Sequence, residues 1–355
     1  METSRRTVLG MLAAMPFVTG FGQGRDDFEQ LLEQRAAADL FSGTVLLAGP
    51  GHATRTWSFG MANKQSGTPV RTGTIFNLAS VTKTFTALAI AQLVERGLLA
   101  FHDTIESYVD DLPPVTIHQL LTHTSGVGRP ARGPGLPGSP DWDTVQEFWD
   151  GTMAIIRSTP PRFTPGTRHE YSNDGFFVLG AVVAQVSGMS YFDYVRRHIF
   201  GPARMTRTDF YTRPEVLARN DIARPYWTQR DGTRADLTAS PFFLFCGGPD
   251  SGAYSTVHDM LAYARALRSG ELLGPAFTDL ITSGKVPVEG RRFYAYGFED
   301  AMAHGRRVFG HSGSGPGRAA NLDLVPHDGR VAVILSNYDT TIEPIVASSR
   351  DIMTG

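Results

Sequence analysis

Three short strings in this 355-residue chain carry side chains whose types and spacing suit acyl transfer: Ser80-Val-Thr-Lys83, Tyr171-Ser-Asn173 and Gly310-His-Ser-Gly-Ser-Gly315. If a helix begins just before Val81, Ser80 sits at its N-terminus and Lys83 lies one turn on, along the same face. Unpaired backbone N–H groups and the positive end of the helix dipole then stabilise negative charge near Ser80. The amine also reaches the hydroxyl and takes its proton when it is neutral. Neutralising such an amine at pH 7 means depressing a pKa of ~10.4 by ~3 units, roughly 4 kcal/mol of desolvation and like-charge pressure. The plainer reading is an N-cap serine and a solvated lysine. Against it, the stretch from Ser80 to Ile90 holds no other charge. The chain also uses 30 Arg and only three Lys (Lys64, Lys83 and Lys285). A position that stays Lys is a candidate for needing an amine that can lose its proton, which Arg cannot do.

Tyr171 is the one tyrosine of eleven with Asn two positions on. A phenol near a cation is a potential general acid or base, because the charge favours phenolate. Asn173 offers an amide donor for the lysine or a substrate. Alone, the triplet reads as a helix cap before the apolar run from Phe176. The third string follows a predicted strand. A glycine-rich strand end lets a substrate backbone approach closely, and its free N–H groups can help form an oxyanion hole. An ordinary glycine turn is the bland alternative.

The elements that must position these strings follow from periodicity. A helix is expected from Asp27, strands over Gly43–Gly49 and 54–60, and a long apolar helix over 82–97 stopped by Gly97. Residues 105–240 read as helical pieces and loops, with a Gly/Pro-dense loop from Gly126 to Pro140. Strands return over 291–298, 306–310, 320–325 and 331–337, the last two joined by His327-Asp-Gly329. A final helix covers 341–353. Strands at both ends and helices between predict an α/β (α+β) fold. An antiparallel sheet from both chain ends (about 25–104 and 250–355) is flanked by helices, with a mostly helical insert over about 105–249.

Composition narrows the function classes. The formal net charge is −2, and no basic stripe is visible, so nucleic acid is not an expected partner. The single cysteine, Cys246, allows no intramolecular disulfide and no cysteine metal site. The histidines show no His-Glu-x-x-His, and no metal or cofactor is expected. Gly133-Pro-Gly-Leu-Pro-Gly138 fits a dinucleotide string in letters only, since no strand precedes it and no helix follows. There is no Gly-x-Ser-x-Gly elbow. At the N-terminus Arg5-Arg6 precedes a short apolar stretch, the layout of a twin-arginine export signal over residues 1–24. Export machinery is therefore an expected transient partner, and the mature chain, periplasmic or secreted, should not insert in a membrane.

Together, the Ser-x-x-Lys, the Tyr-x-Asn about ninety residues on and the His-x-Gly on a late strand resemble the serine β-lactamase and penicillin-binding-protein superfamily. The similarity is greatest to its class C β-lactamase-like branch, which includes family VIII carboxylesterases and D-amino-acid-directed peptidases. It extends over about residues 28–350 and takes in Ile117-His-Gln-Leu-Leu-Thr-His-Thr-Ser-Gly126 and Gly252-Ala-Tyr-Ser-Thr256. The resemblance implies Ser80 as nucleophile, Lys83 as its partner, Tyr171 as acid/base and Asn173 as a substrate-side amide. It implies an oxyanion hole from the backbone N–H groups of Ser80 and Ser314, with His311 and Gly313 beside the substrate. Where β-lactamases of the branch carry Lys-Thr-Gly, this chain has His311-Ser-Gly313, which favours an ester, or an amide, over a β-lactam. A β-lactamase or DD-carboxypeptidase is the alternative, and a catalytically silent binding protein on the same fold the rival from another class.

Overall fold

The computed structural model of the protein describes residues 20–128, 142–240, 243–290 and 292–355. Helix α1 (Gly20–Ala37) leads into the hairpin β1 (Gly43–Gly49) and β2 (His52–Phe59). Helix α2 (Lys83–Glu95) follows, then α3 (Asn173–Ser187) in the middle of the chain and α4 (Val257–Ser269) after it. The C-terminal part supplies β3 (Val286–Pro287), β4 (Phe293–Tyr294), β5 (Glu299–Ala303), β6 (Arg306–Gly315), β7 (Arg318–Val325) and β8 (Arg330–Ser336). Helix α5 (Glu343–Thr354) ends the chain. The eight strands form one sheet in the order β2-β1-β8-β7-β6-β5-β4-β3, antiparallel throughout. Both chain ends thus build it, as expected.

Side-chain alternation along each strand sorts residues to two faces. Val45 and Ile334, paired across β1 and β8, pack with Phe28 and Leu32 of α1 and Ile345 and Val346 of α5. Their neighbours Leu46, Val333 and Leu335 face the other way, into the large core around α2. Every residue from Lys83 to Leu93 is buried, so α2 is a core helix without a polar face. Its aliphatic and aromatic side chains each contribute roughly 1.5–3 kcal/mol by leaving water. Gly97, at φ +68°, takes the left-handed conformation that follows a helix end without steric cost.

The structure differs from the periodicity reading in several places. The chain enters α2 through a tight 3₁₀ turn over Ala79–Thr82, and α-geometry starts only at Lys83. Strand β6 does not stop at Gly310 but runs through the glycine-rich string to Gly315, because Pro316 and Gly317 (φ +67°) turn the chain back into β7. Of the strand expected over 291–298 only β4 forms, and β3 and β5 were not foreseen. In the insert, the described part includes helices Ile117–Leu121 and Val145–Ser158, α3, and a small hairpin of Tyr226–Thr228 with Arg234–Asp236. Most of the Gly126–Pro140 loop and the N-terminal nineteen residues lie outside the described residues. Among the described residues no single helix is long and apolar enough to cross a membrane.

Candidate active site

Ala79 sets the nucleophile's position. Its φ is +46°, a left-handed backbone that costs an alanine about 1–2 kcal/mol, and the Asn77 side chain holds it by accepting the Ala79 N–H at 2.9 Å. The kink delivers Ser80 to the first turn, where the helix offers its N–H no acceptor of its own. A Cβ added to Gly313 would lie 2.7 Å from that nitrogen. Glycine there is what lets β6 pass so close to Ser80.

Lys83 lies one turn on and is fully buried. Its Nζ donates to Asn173 Oδ1 at 2.7 Å and to the Asp250 carbonyl at 2.5 Å, and stands 3.4 Å from Ser80 Oγ. The rings of Tyr171 and Phe176 lie 4.8 and 5.4 Å from it. Asn173 opens α3 behind the N-cap Ser172, whose Oγ accepts the Gly175 N–H. Toward the lysine, then, Asn173 presents its oxygen; the expected amide donor is free only for another partner. Asp250 belongs to a loop strapped across the start of α2 by Leu78 N–H to Ala253 O and by Thr86 Oγ to Pro249 O.

Tyr171 points its buried Oη at this cluster without a well-formed hydrogen bond among the described residues. Burial pushes its pKa well above the usual phenol value, the Ser80 hydroxyl opposes this, and the carboxylates of Glu299 and Asp250 add to it. Desolvation thus overrides the neighbouring cation, and Tyr171 rests as a neutral phenol rather than the phenolate that proximity to an amine suggested.

His311 lines the site with an inward-turned ring. Its ring is buried, with Nδ1 on the Ser312 carbonyl and Nε2 2.9 Å from Tyr294 Oη. A carbonyl only accepts, so Nδ1 carries the proton and Nε2 accepts from Tyr294. Both nitrogens are spent within the protein. Burial lowers its pKa, Glu299 works against that, and Lys83 reinforces it. His123 completes the aromatic wall, 4.2 Å from Tyr171 and 4.5 Å from Tyr294 between ring centroids. It accepts the Ser172 N–H on Nδ1 at 3.1 Å. Burial, with Lys83 and the other imidazoles, holds its pKa well below the ordinary value.

The open side of the site is a strand edge. Strand β5 covers β6 only up to the pair Glu299↔Gly310, so beyond it His311–Gly315 pairs with β7 alone. The two-residue turn makes Gly315↔Arg318 a hydrogen-bonded pair, and ladder alternation then turns the N–H groups of Ser312 and Ser314 to the open edge. Ser314 N–H and Ser80 N–H thereby border the same space. Ser80, Lys83, Tyr171, Asn173, His311 and Gly313 all converge here, with Ser314 on the rim. Sequence reasoning missed the Asp250 carbonyl, His123 as a wall residue, Tyr294 and Glu299. His123 lay within the string Ile117–Gly126 that carries part of the resemblance, and the turn-rich Gly247-Gly-Pro-Asp-Ser-Gly252 marked a turn rather than a site.

A serine at a helix start, a buried lysine partner and a glycine-rich antiparallel strand edge together define a serine hydrolase of the β-lactamase and penicillin-binding-protein fold. The chain belongs to the β-lactamase family, whose profile matches residues 28–350. It is 28% identical over 338 residues to penicillin-binding protein 4* of Bacillus subtilis, covering 90% of this chain and 73% of that protein. It is 31% identical over 275 residues to esterase EstB of Burkholderia gladioli, covering 68% of each. The crystal structure of a penicillin-binding protein from Bacillus halodurans aligns at a TM-score of 0.78 and 28% identity, over 95% of this chain and 100% of that one. The chain spans between 58% and 73% of the length of the first curated relatives it matches.

The buried imidazoles set a pH dependence. Folding lowers the pKa of His123 and His311 below the unfolded value of ~6.5. Their contribution to stability is complete above that pH and is lost as pH falls below it, when the unfolded chain takes up protons the folded one refuses. Denaturant unfolding from pH 7.5 to 5 should show stability falling, by up to about 1.4 kcal/mol per pH unit for each such proton. His123→Asn tolerates the left-handed φ of +57° at that position and should remove one share of the slope. An unchanged slope would refute the neutral buried ring.

Proposed function

We propose that this protein hydrolyses esters through an acyl-enzyme on Ser80, in the manner of a carboxylesterase, with amides as a second substrate class. The observation that carries the reading is the hydrogen-bonding of Lys83. A neutral amine has two N–H bonds and one lone pair. Lys83 Nζ donates to Asn173 Oδ1, to the Asp250 carbonyl and, at 3.4 Å, toward Ser80 Oγ; on losing a proton it can keep the first two bonds and turn its lone pair on the serine.

The steps follow from these positions. Ser80 Oγ attacks the substrate carbonyl and its proton passes to Lys83. The N–H groups of Ser80 and Ser314 hold the oxyanion. Tyr171, a neutral phenol, gives its proton to the departing oxygen or nitrogen and recovers one from Lys83. Water then attacks the acyl-enzyme by the same route in reverse, releasing the acid and restoring Ser80. Asn173 keeps Lys83 in register and turns its amide N–H toward the substrate.

Ser80→Ala should lower kcat by about 10⁴- to 10⁶-fold with the fold intact, and a fluorophosphonate should label the peptide that contains Ser80. Lys83→Arg should be nearly as damaging as Lys83→Ala, since guanidinium cannot accept the proton. Retention of more than roughly a tenth of the activity by the Arg variant would end the proton-acceptor role.

Substrate choice follows from His311. A neutral ring with both nitrogens engaged offers no cation to a carboxylate. Losing a charge-assisted hydrogen bond of ~1.5–3 kcal/mol lowers kcat/KM on anionic substrates by about 10- to 100-fold. Short-chain p-nitrophenyl esters should therefore outrun a chromogenic cephalosporin in kcat/KM. The reverse order would put the β-lactamase reading first.

We also propose that the chain is exported through a twin-arginine signal and acts in the periplasm or outside the cell, on the strength of Arg5-Arg6 and the apolar stretch after it. Arg5-Arg6→Lys-Lys should leave the precursor in the cytoplasm on fractionation. Processed protein at wild-type level in the periplasm would dismiss the signal.

A further inference from the structure

Glu299 is a carboxylate at the mouth of the site that the steps above do not use. It begins β5, opposite Gly310, where the cover over β6 ends. Its Oε1 accepts the Ser312 hydroxyl at 2.7 Å, with Ser312 N 3.5 Å and His311 Nδ1 4.0 Å away. Ser312 is exposed, and its N–H faces the open edge. The hydroxyl and N–H there are the donors a substrate carboxylate beside His311 would need, and the chain's own carboxylate already holds them.

The neighbouring charges do not cancel Glu299. His311 is the nearest titratable group, and its ring is neutral with both nitrogens spent. Lys83 is buried and committed to two carbonyl oxygens. Arg350 pairs bidentately with Asp323. The Arg318 guanidinium lies beside Gly315, at the turn end of the strand and on the other side of Ser314. The open edge is therefore negative at Ser312.

The position of Tyr171 says which end meets which part of a substrate. Its ring lies 6.4 Å from the His311 ring, which is itself 4.0 Å from Glu299, and the Glu299 carboxylate acts on its phenol, so the group that protonates the departing atom and Glu299 border the same end of the edge. We infer that Glu299 reads the charge of the leaving group, rejecting anions and favouring an alcohol, thiol or amine that carries a cation. This rests on the hydrolase reading of Ser80 and Lys83.

The test uses the purified full-length enzyme and three thioacetates that share one acyl group. They are acetylthiocholine, its neutral isostere S-(3,3-dimethylbutyl) thioacetate, and S-acetyl-3-mercaptopropionate, followed by thiol release. Each kcat/KM is taken relative to the neutral isostere in the same protein, so that a general loss of activity cancels. The wild type should favour the cationic over the anionic substrate by about tenfold or more, mainly through KM. Glu299→Gln should bring that ratio to within roughly threefold of unity, while Glu299→Asp, which keeps the charge, should retain the preference. A wild type that prefers the anion overturns the inference with no variant needed, and so does a ratio that Glu299→Gln leaves unchanged. If Ser80 takes the fluorophosphonate and the ratio is flat, the inference alone falls. If Ser80 takes none and no thioester is cleaved, the hydrolase reading falls and the inference with it.

Discussion

A buried amine must have its hydrogens accepted, and the rest of the site is arranged around that demand. Leaving a charged or polar group unpaired in an apolar core costs several kcal/mol, and Lys83 sits on a helix whose other buried positions are Phe, Leu, Ile, Ala, Thr and Gln. Its two acceptors come from segments distant in sequence, the Asn173 side chain at the start of α3 and the Asp250 carbonyl in the loop before α4. Satisfying the lysine therefore locks the insert and the sheet-bearing part together at one atom. The same two bonds aim what remains of the amine at Ser80.

The aromatic wall does a second task. His123, Tyr171, Tyr294 and His311 pack ring against ring, and each is too well buried to carry charge readily. A neutral histidine accepting from Tyr294 stands on the strand beside Ser80, and the charge next to it is that of Glu299. Ser80, Lys83 and Tyr171 meet against this wall, and Glu299 lies at its rim.

How much of this was legible depended on whether a feature is local. Ser80 and Lys83 lie within one turn, so residue types and spacing were enough. Asn173 and Tyr171 were visible as a helix start, but their meeting with Lys83 rested on resemblance, because nothing local brings residues ninety apart together. Asp250 acts through its backbone carbonyl, which every residue type has, so no letter of the sequence marks it. Strand β5, Glu-Asp-Ala-Met-Ala, lacks the β-branched and aromatic residues that signal a strand, and pairing with β6 makes it one. Ala79 gives no hint of a left-handed backbone, since its φ is imposed by Asn77 and the approach of β6. For His311 the residue type was informative and the direction of the ring was not, since that follows from Tyr294 and the Ser312 carbonyl.

The sheet's connectivity has a bearing on how the molecule comes into being. Strand β1 is hydrogen-bonded on one side to β2, its neighbour in the chain, and on the other to β8, nearly three hundred residues later, with Val45 opposite Ile334. The N-terminal hairpin therefore waits for the last strand before it has a second partner, and β6, which borders Ser80, reaches it only through β7 and β8. Such distant pairing must close a very long loop before any contact rewards it, which slows folding. During synthesis Ser80 and Lys83 emerge early, yet the strand edge beside Ser80 exists only once residues through β8 have left the ribosome. The site is in this sense unformed by topology until β8 is in place.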